Sequence, residues 1–328
     1  MRAYLFRRFL YMVVLLAVVS LFSFVLIQLP PGDYLTSYIA RLRDTRGTDV
    51  DQAEIDGLRL QYGLDRPLVV QYVKWVENML QGDFGRSFSW NMPVITMLNE
   101  RMGITIFTSL LTLIVTYAVA IPIGIYSATH QYSILDYLFT GVGFAGLAMP
   151  SFFLALVLMY YLTRYTGASV GGLYSPQFVD QPMDLAKFMD MLGHIPVLVI
   201  AVGLAGTASL IRIIRSGMLD ELKRNYVTSA RSKGLSEGKM LFKYPVRMAL
   251  NPVISTIGWV LPNIVSGATV TAIAMNIPTI GSLLYESLLS QDTYVAGACI
   301  MILSFLTVIG MFISDVILVV VDPRIRYT

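Results

Sequence analysis

The chain is poor in the residues that build most active sites. It has one cysteine, Cys299, so no disulfide framework can form within it. It has two histidines, His130 and His194, far apart in sequence. With a single cysteine they supply no metal-ligand spacing, and no metal is expected. Charged residues are only 14% of the chain. The net charge of +3 is too small to point to nucleic acid. No Ser/His/Asp order and no paired carboxylates are placed for chemistry. Together these shortages argue against an enzyme.

What is abundant is apolar surface. Hydrophobic residues make up 55% of the 328 positions, and the mean hydropathy is +0.65. That composition belongs to integral membrane proteins. A helix needs about 20 apolar residues to cross the hydrocarbon. Six stretches qualify: 9–29, 104–127, 138–162, 195–214, 249–277 and 295–321. Lys and Arg are expected to stay outside these runs, and Asp315 is the acid inside one. The first run follows Arg2, Arg7 and Arg8 like a signal peptide. It is longer than a signal core, and LIQLPPGD offers no small-x-small cleavage site, so it reads as a retained anchor. Asp315 reads as a structural acid meeting a helix end or a basic residue, with a coupling proton site as the sharper alternative.

Orientation follows the positive charge in short loops. The segment 212–247 holds nine Lys/Arg against three acids. With six spans it shares a side with the basic N-terminus and the tail DPRIRYT, so that side is expected to be cytoplasmic. Segment 30–103 has eight basic residues but ten acids, and 276–294 has no Lys or Arg. The former reads as a small external helical region, broken at Gly63 and Pro67. Leu58, Tyr62, Val69, Tyr72, Val73 and Val76 would form its apolar face. A second external loop, 163–194, is expected to be irregular.

Span five differs from the rest. Pro252 and Pro262 interrupt it, and Asn263, Ser266, Thr269 and Thr271 add polar groups. Such breaks survive in lipid only where they are buried in protein or line a cavity. These four residues are therefore candidates for a translocation pathway, against the plainer reading that they only pack helices.

The stretch KGLSEGKMLF looks at first like a phosphate loop. Gly234 and Gly238 have three residues between them rather than four, and Met240 stands where a hydroxyl is needed. Nucleotide binding is excluded on that spacing. A mechanical reading fits better. GMLDELKRNYVTSARSK suits an amphipathic helix with Met218, Leu222, Tyr226 and Ala230 on one face. Gly234 ends it in the left-handed region, and Ser236 caps a second helix.

These residues carry a resemblance. YVTSARSKGLSEGKMLFKYPVRMALNPVI resembles the "EAA" coupling segment of permease subunits of bacterial ABC importers, the dipeptide/oligopeptide/nickel type in particular. GLDRPLVVQYVKW, GDFGRSF and MPV resemble that family's external region, and VDPRIRYT its C-terminus. The resemblance implies an all-α polytopic membrane protein with the six transmembrane helices of the type I permease fold. It divides the chain into a cytoplasmic N-terminus and first span at 1–29, the external helical region at 30–103 and a core permease at 104–328. The coupling segment lies at about 216–248 in that core.

The implied partners are a second homologous permease, two cytoplasmic ATPase subunits and an external solute-binding protein, all at a bacterial inner membrane, with both termini cytoplasmic. ATP and Mg would be bound by the ATPases, with no cofactor in this chain. By the match, Tyr226, Thr228, Ser229, Ala230, Lys233, Gly234 and Leu235 would couple to an ATPase. Thr228 replaces the family's usual glutamate. After span five the chain reads AIAMNIPTIG. It keeps Pro278 and Gly281 but lacks the acid and the aromatic of relatives, so the external gate region at Asn276, Pro278 and Gly281 is altered. The cargo is expected to be a small solute, peptide or oligosaccharide-like. A self-sufficient secondary transporter or channel is the alternative.

Overall fold

The computed structural model describes residues 2–28, 66–87, 89–167 and 170–321. Among them the regular structure is helical, with one isolated bridge between Arg86 and Pro93. In chain order the helices are α1 (Arg2–Gln28), α2 (Leu68–Leu80), α3 (Val94–Thr129), α4 (Ile134–Ala148), α5 (Ser151–Thr166), α6 (Leu185–Leu222), α7 (Asn225–Ser232), α8 (Glu237–Lys243), α9 (Pro245–Ala274), α10 (Ile280–Leu289) and α11 (Thr293–Val321). Four of them, α1, α3, α6 and α11, are long and apolar enough to cross a membrane, and the bent pair α4–α5 makes a fifth. Helix α9 runs 30 residues at the place expected for span five, roughly 45 Å at 1.5 Å per residue.

The third expected span is not one straight helix. α4 and α5 meet at 112°. Pro150 sits between them with φ −58 and ψ 138, and Met149 before it is extended. A proline ring disfavours helical geometry in the preceding residue, so the break falls at Met149. Span four is longer than its apolar run. α6 starts at Leu185, inside the segment expected to be an irregular loop, because Asp184 caps it by accepting from Lys187 N at 2.7 Å.

The chain forms two compact units. The first comprises Met1–Phe9, Ile104–Thr279 and Thr307–Thr328. α6 is its axis, burying Ile195, Leu198, Leu210, Ile214 and Met218 almost completely. Small residues let neighbouring helices approach α6 closely. A Cβ on Gly146 would lie 2.4 Å from Leu204 Cγ, and one on Gly124 2.7 Å from Ile214 Cβ. Buried hydroxyls turn back onto their own helices, as Thr112 donates to the Thr108 carbonyl and Thr207 to that of Gly203. Asp315 lies 3.3 Å from Arg8 Nε, which is the structural pairing expected of it.

The second unit comprises Leu10–Gly103 and Ile280–Leu306. Here α2 packs on α1. Tyr72 OH and Ser20 Oγ are 2.7 Å apart, and the Phe24 ring meets those of Tyr72 and Trp75 at 5.4 and 5.9 Å. The apolar face expected for α2 is rotated: Val69 and Val73 are exposed, and Tyr72, Trp75 and Val76 turn inward. Two aromatics outcompete two valines for the contact because they bury more area. Leu58, Tyr62 and Gly63 lie outside the described residues, as does the tail from Asp322. α10, in a stretch read as loop, buries Ile280 and Leu283 with Val94, Leu98 and Val295. Asp292 caps α11 from a fully buried position and accepts from Ser87 Oγ at 2.6 Å and Ser89 N at 2.9 Å.

Candidate functional site: a hinged helical pair and the helices above it

The basic segment folds as two short helices between α6 and α9. The single amphipathic helix expected here is broken. α6 ends at Leu222, and Arg224, extended at φ −73 and ψ 145, begins α7. α7 ends at Ser232, and Gly234 just past it takes φ +76. Gly234 N donates to the Arg231 carbonyl at 2.9 Å and Leu235 N to that of Ala230 at 3.4 Å. Nothing lies within 4 Å of where a Cβ on Gly234 would point. The demand for glycine is therefore one of backbone conformation rather than space. Ser236 precedes α8 in extended geometry, but its side chain makes no capping bond. Arg231 instead holds the first residue of α8, donating through a fork to the Glu237 carboxylate at 2.8 and 3.2 Å.

A core of three buried residues, Val227, Ala230 and Met240, holds the pair together, with Leu235, Leu241 and Tyr244 packed on it. Tyr226, expected on the buried face, is 36% exposed, and Val227 takes that place. Restarting the helix at Arg224 shifts the phase by one residue. Tyr226 instead donates from its hydroxyl to Glu221, and its ring lies 6.1 Å from that of Tyr244. Loss of hydration, then the Glu221 carboxylate, pushes the phenol up to about 12. Thr228, Ser229, Lys233 and Gly234 are exposed on the outer side. Phe242, on α8, is 67% exposed. A thin core backing a polar, basic strip with one projecting aromatic suits a surface that meets another protein.

Above this pair, Arg215 Nη2 on α6 donates to Asp136 Oδ2 on α4 at 3.1 Å. The Asp136 side chain is 4% exposed. Sequence reasoning passed over both residues. The available signal was S-x-x-D at 133–136: Ser133 caps α4 by accepting from Asp136 N.

A cavity of about 280 Å³ opens between α4, α5, α6 and α9, lined by Ser151, Gly206, Ser209, Asn263 and Gly267 among others. Of the four polar residues singled out on span five, the structure brings Asn263 to this cavity. Ser266 is exposed and donates to the Asn263 carbonyl at 3.3 Å. Thr269 donates to that of Val265 at 3.3 Å. Thr271 is fully buried, 2.9 Å from Ser151 Oγ. At the far end of α9, Asn276 adopts φ +56, which asparagine tolerates better than most residues. Pro278 is exposed, and Gly281 is buried in α10. Gly172 N donates to the Met275 carbonyl at 2.7 Å. The same loop is tied to α6 by Ser175, whose Oγ and N both donate to Asp190, at 2.6 and 2.7 Å.

Membrane-length helices beside a largely apolar cavity that holds a few polar groups, with a helical pair carried on one loop, fit a membrane transport component. Residues 120–327 match the family described as binding-protein-dependent transport system inner membrane component. Residues 1–110 match its N-terminal membrane component. The chain is 34% identical to the oligopeptide transport system permease protein AppB of Bacillus subtilis, over 100% of both chains. It is 28% identical, again over 100% of both, to a chain named a probable peptide ABC transporter permease protein in Sinorhizobium fredii. The chain belongs to the family of inner membrane components of binding-protein-dependent transport systems.

Proposed function

We propose that the chain forms half of the translocation pathway of an ATP-driven importer whose cargo is a peptide. Relatives of full length are named as peptide permeases, which supports peptide over oligosaccharide. In this reading segment 216–248 is a coupling domain that docks a cytoplasmic ATPase. Residues 1–29 are a cytoplasmic start and first span, 30–103 an external region that meets a solute-binding protein, and 104–328 the permease core. The complex contains a second homologous permease and two ATPase subunits, which bind the ATP and Mg. Both termini are cytoplasmic. Asn263 faces the cargo, and Asn276, Pro278 and Gly281 border the external gate.

The observation that carries this reading is the Gly234 turn. It sets two short helices on a three-residue core and leaves Thr228, Ser229 and Lys233 outward. A unit so thin gains its stability from what it touches, so a partner's closure moves it as a body. ATP drives the transition because the ATPases bind it differently in their two states. Gentle solubilisation of the tagged chain should recover two ATPase subunits and a second permease, and the assembled complex should take up peptide only with ATP. Peptide uptake by the isolated chain under an ion gradient, with no ATPase recovered, would overturn the reading.

A further inference from the structure

A second cavity, of about 200 Å³, lies between α4 and α6 in the first unit. Its wall is apolar, from Phe139, Gly143, Leu147 and Ala208, and Arg212 and Arg215 stand in the same lining. The floor is close-packed: a Cβ on Gly143 would come within 3.1 Å of Ala208 Cβ. The α4 surface around it exposes Leu135, Leu138, Val142 and Phe144, side chains that suit acyl chains rather than water.

The arginines are unevenly satisfied. Arg215 gives Nη2 to Asp136, but its Nε is buried with no acceptor among the described residues. Arg212 is exposed. Among the described residues it makes no hydrogen bond or ion pair. Asp136 balances Arg215, which leaves the Arg212 charge over in the lining of an apolar groove. A guanidinium presents its N–H groups in a fork that matches a phosphate. An arginine at the end of a span reaches the membrane interface while its stem stays in the hydrocarbon.

We propose that this groove holds an anionic phospholipid, one acyl chain against Gly143 and Ala208 and the phosphodiester on Arg212 and Arg215. The occupant is a lipid rather than free phosphate because the greater part of the lining is apolar and lies on the membrane-length α6 and on α4 of the bent span. The proposal is independent of the transport reading: it asks only that α4 and α6 sit in a bilayer.

The test is lipid retention by the full-length chain in mixed micelles, read by native mass spectrometry with phosphatidylglycerol and phosphatidylcholine as probes. The unaltered chain should retain phosphatidylglycerol preferentially. Arg212→Gln leaves the Asp136–Arg215 pair intact and should cut that preference about fivefold. Lys239→Gln removes the same charge from the exposed face of α8 and should leave it unchanged. Thr140→Trp, at an exposed groove position, should fill the space and reduce retention of both lipids. Equal retention by Arg212→Gln and the unaltered chain would overturn the proposal. So would an equal loss in Lys239→Gln, or unaltered retention of both lipids in Thr140→Trp.

Discussion

Two of the arginine–carboxylate pairs in the first unit do different work. Arg215–Asp136 joins helices 79 positions apart, with the carboxylate 4% exposed. Arg231–Glu237 spans six positions across one turn, with side chains 52% and 62% exposed. The second has the better geometry, yet water screens it, and such pairs contribute little. The first has a single hydrogen bond, but its carboxylate is buried, and the Arg215 side chain, 31% exposed, recovers only part of its hydration if Asp136 is removed. Burial, rather than distance, decides which pair holds structure and which only biases a local turn.

That contrast can be broken from the buried side first. Asp136→Ala leaves Arg215 without its counter-charge and should cost about 3 kcal/mol, read as a lower midpoint of thermal unfolding in detergent. Asp136→Ala combined with Arg215→Ala should recover part of the loss. If the double variant is no better than the single one, the pair is not what the site depends on. A smaller effect is expected where packing, not charge, is disturbed. Gly146→Ala forces Leu204 aside and should cost about 1–3 kcal/mol, with Leu204→Ala restoring stability.

At the hinge, Gly234→Val places a β-branched residue in the left-handed region, at a cost of roughly 1–2 kcal/mol confined to the turn. The spans should fold normally while transport falls relative to ATP hydrolysis in the assembled complex. Unchanged coupling would count against the turn as the point where motion enters.

Smaller still is the effect of pH on the helical pair. A phenol whose folded pKa is raised to about 12 favours the protonated folded form. The Tyr226 contribution is therefore complete below about pH 10 and is lost as pH rises towards 12. Tyr226→Phe should flatten thermal stability across that window and lower it slightly at neutral pH, where the contribution is complete. Last, Glu237→Gln should leave thermal stability within error and remove a weak salt dependence at the turn. A loss as large as that of Asp136→Ala would erase the contrast between the pairs.

Hydropathy made most of the bundle legible, because a helix in lipid must satisfy its backbone internally and shows this as long apolar runs. The run at 295–321 became α11 to within two residues, and that at 9–29 became α1, which starts seven residues earlier through the basic N-terminus. Gly234 was equally readable, since left-handed conformation is a local demand. What escaped the sequence depended on neighbours. Whether Pro150 bends a span or merely kinks it is settled by what packs beside α4 and α5. Arg212 was expected to stay outside the apolar runs but lies within the fourth, where a groove gives its head an outlet. The pairing of Asp136 with Arg215 follows only once α4 lies along α6. Val227 displaced Tyr226 from the core because the chain restarts its helix at Arg224, and hydrophobic periodicity carries no warning of such a restart.

α6 has 38 residues and one proline inside it, Pro196. At 1.5 Å per residue it is about 57 Å long, against about 30 Å of hydrocarbon. Proline cannot donate to the carbonyl four positions earlier, so at Leu192 the hydrogen-bond ladder loses a rung. From Pro196 to Leu222 the helix is an unbroken rod. In the proposed coupling it would act as a lever with its joint near one end, carrying a displacement at Leu222 up towards the residues beside Asn263. The short arm beyond the joint, moored by Asp190 to Ser175, can stay where it is.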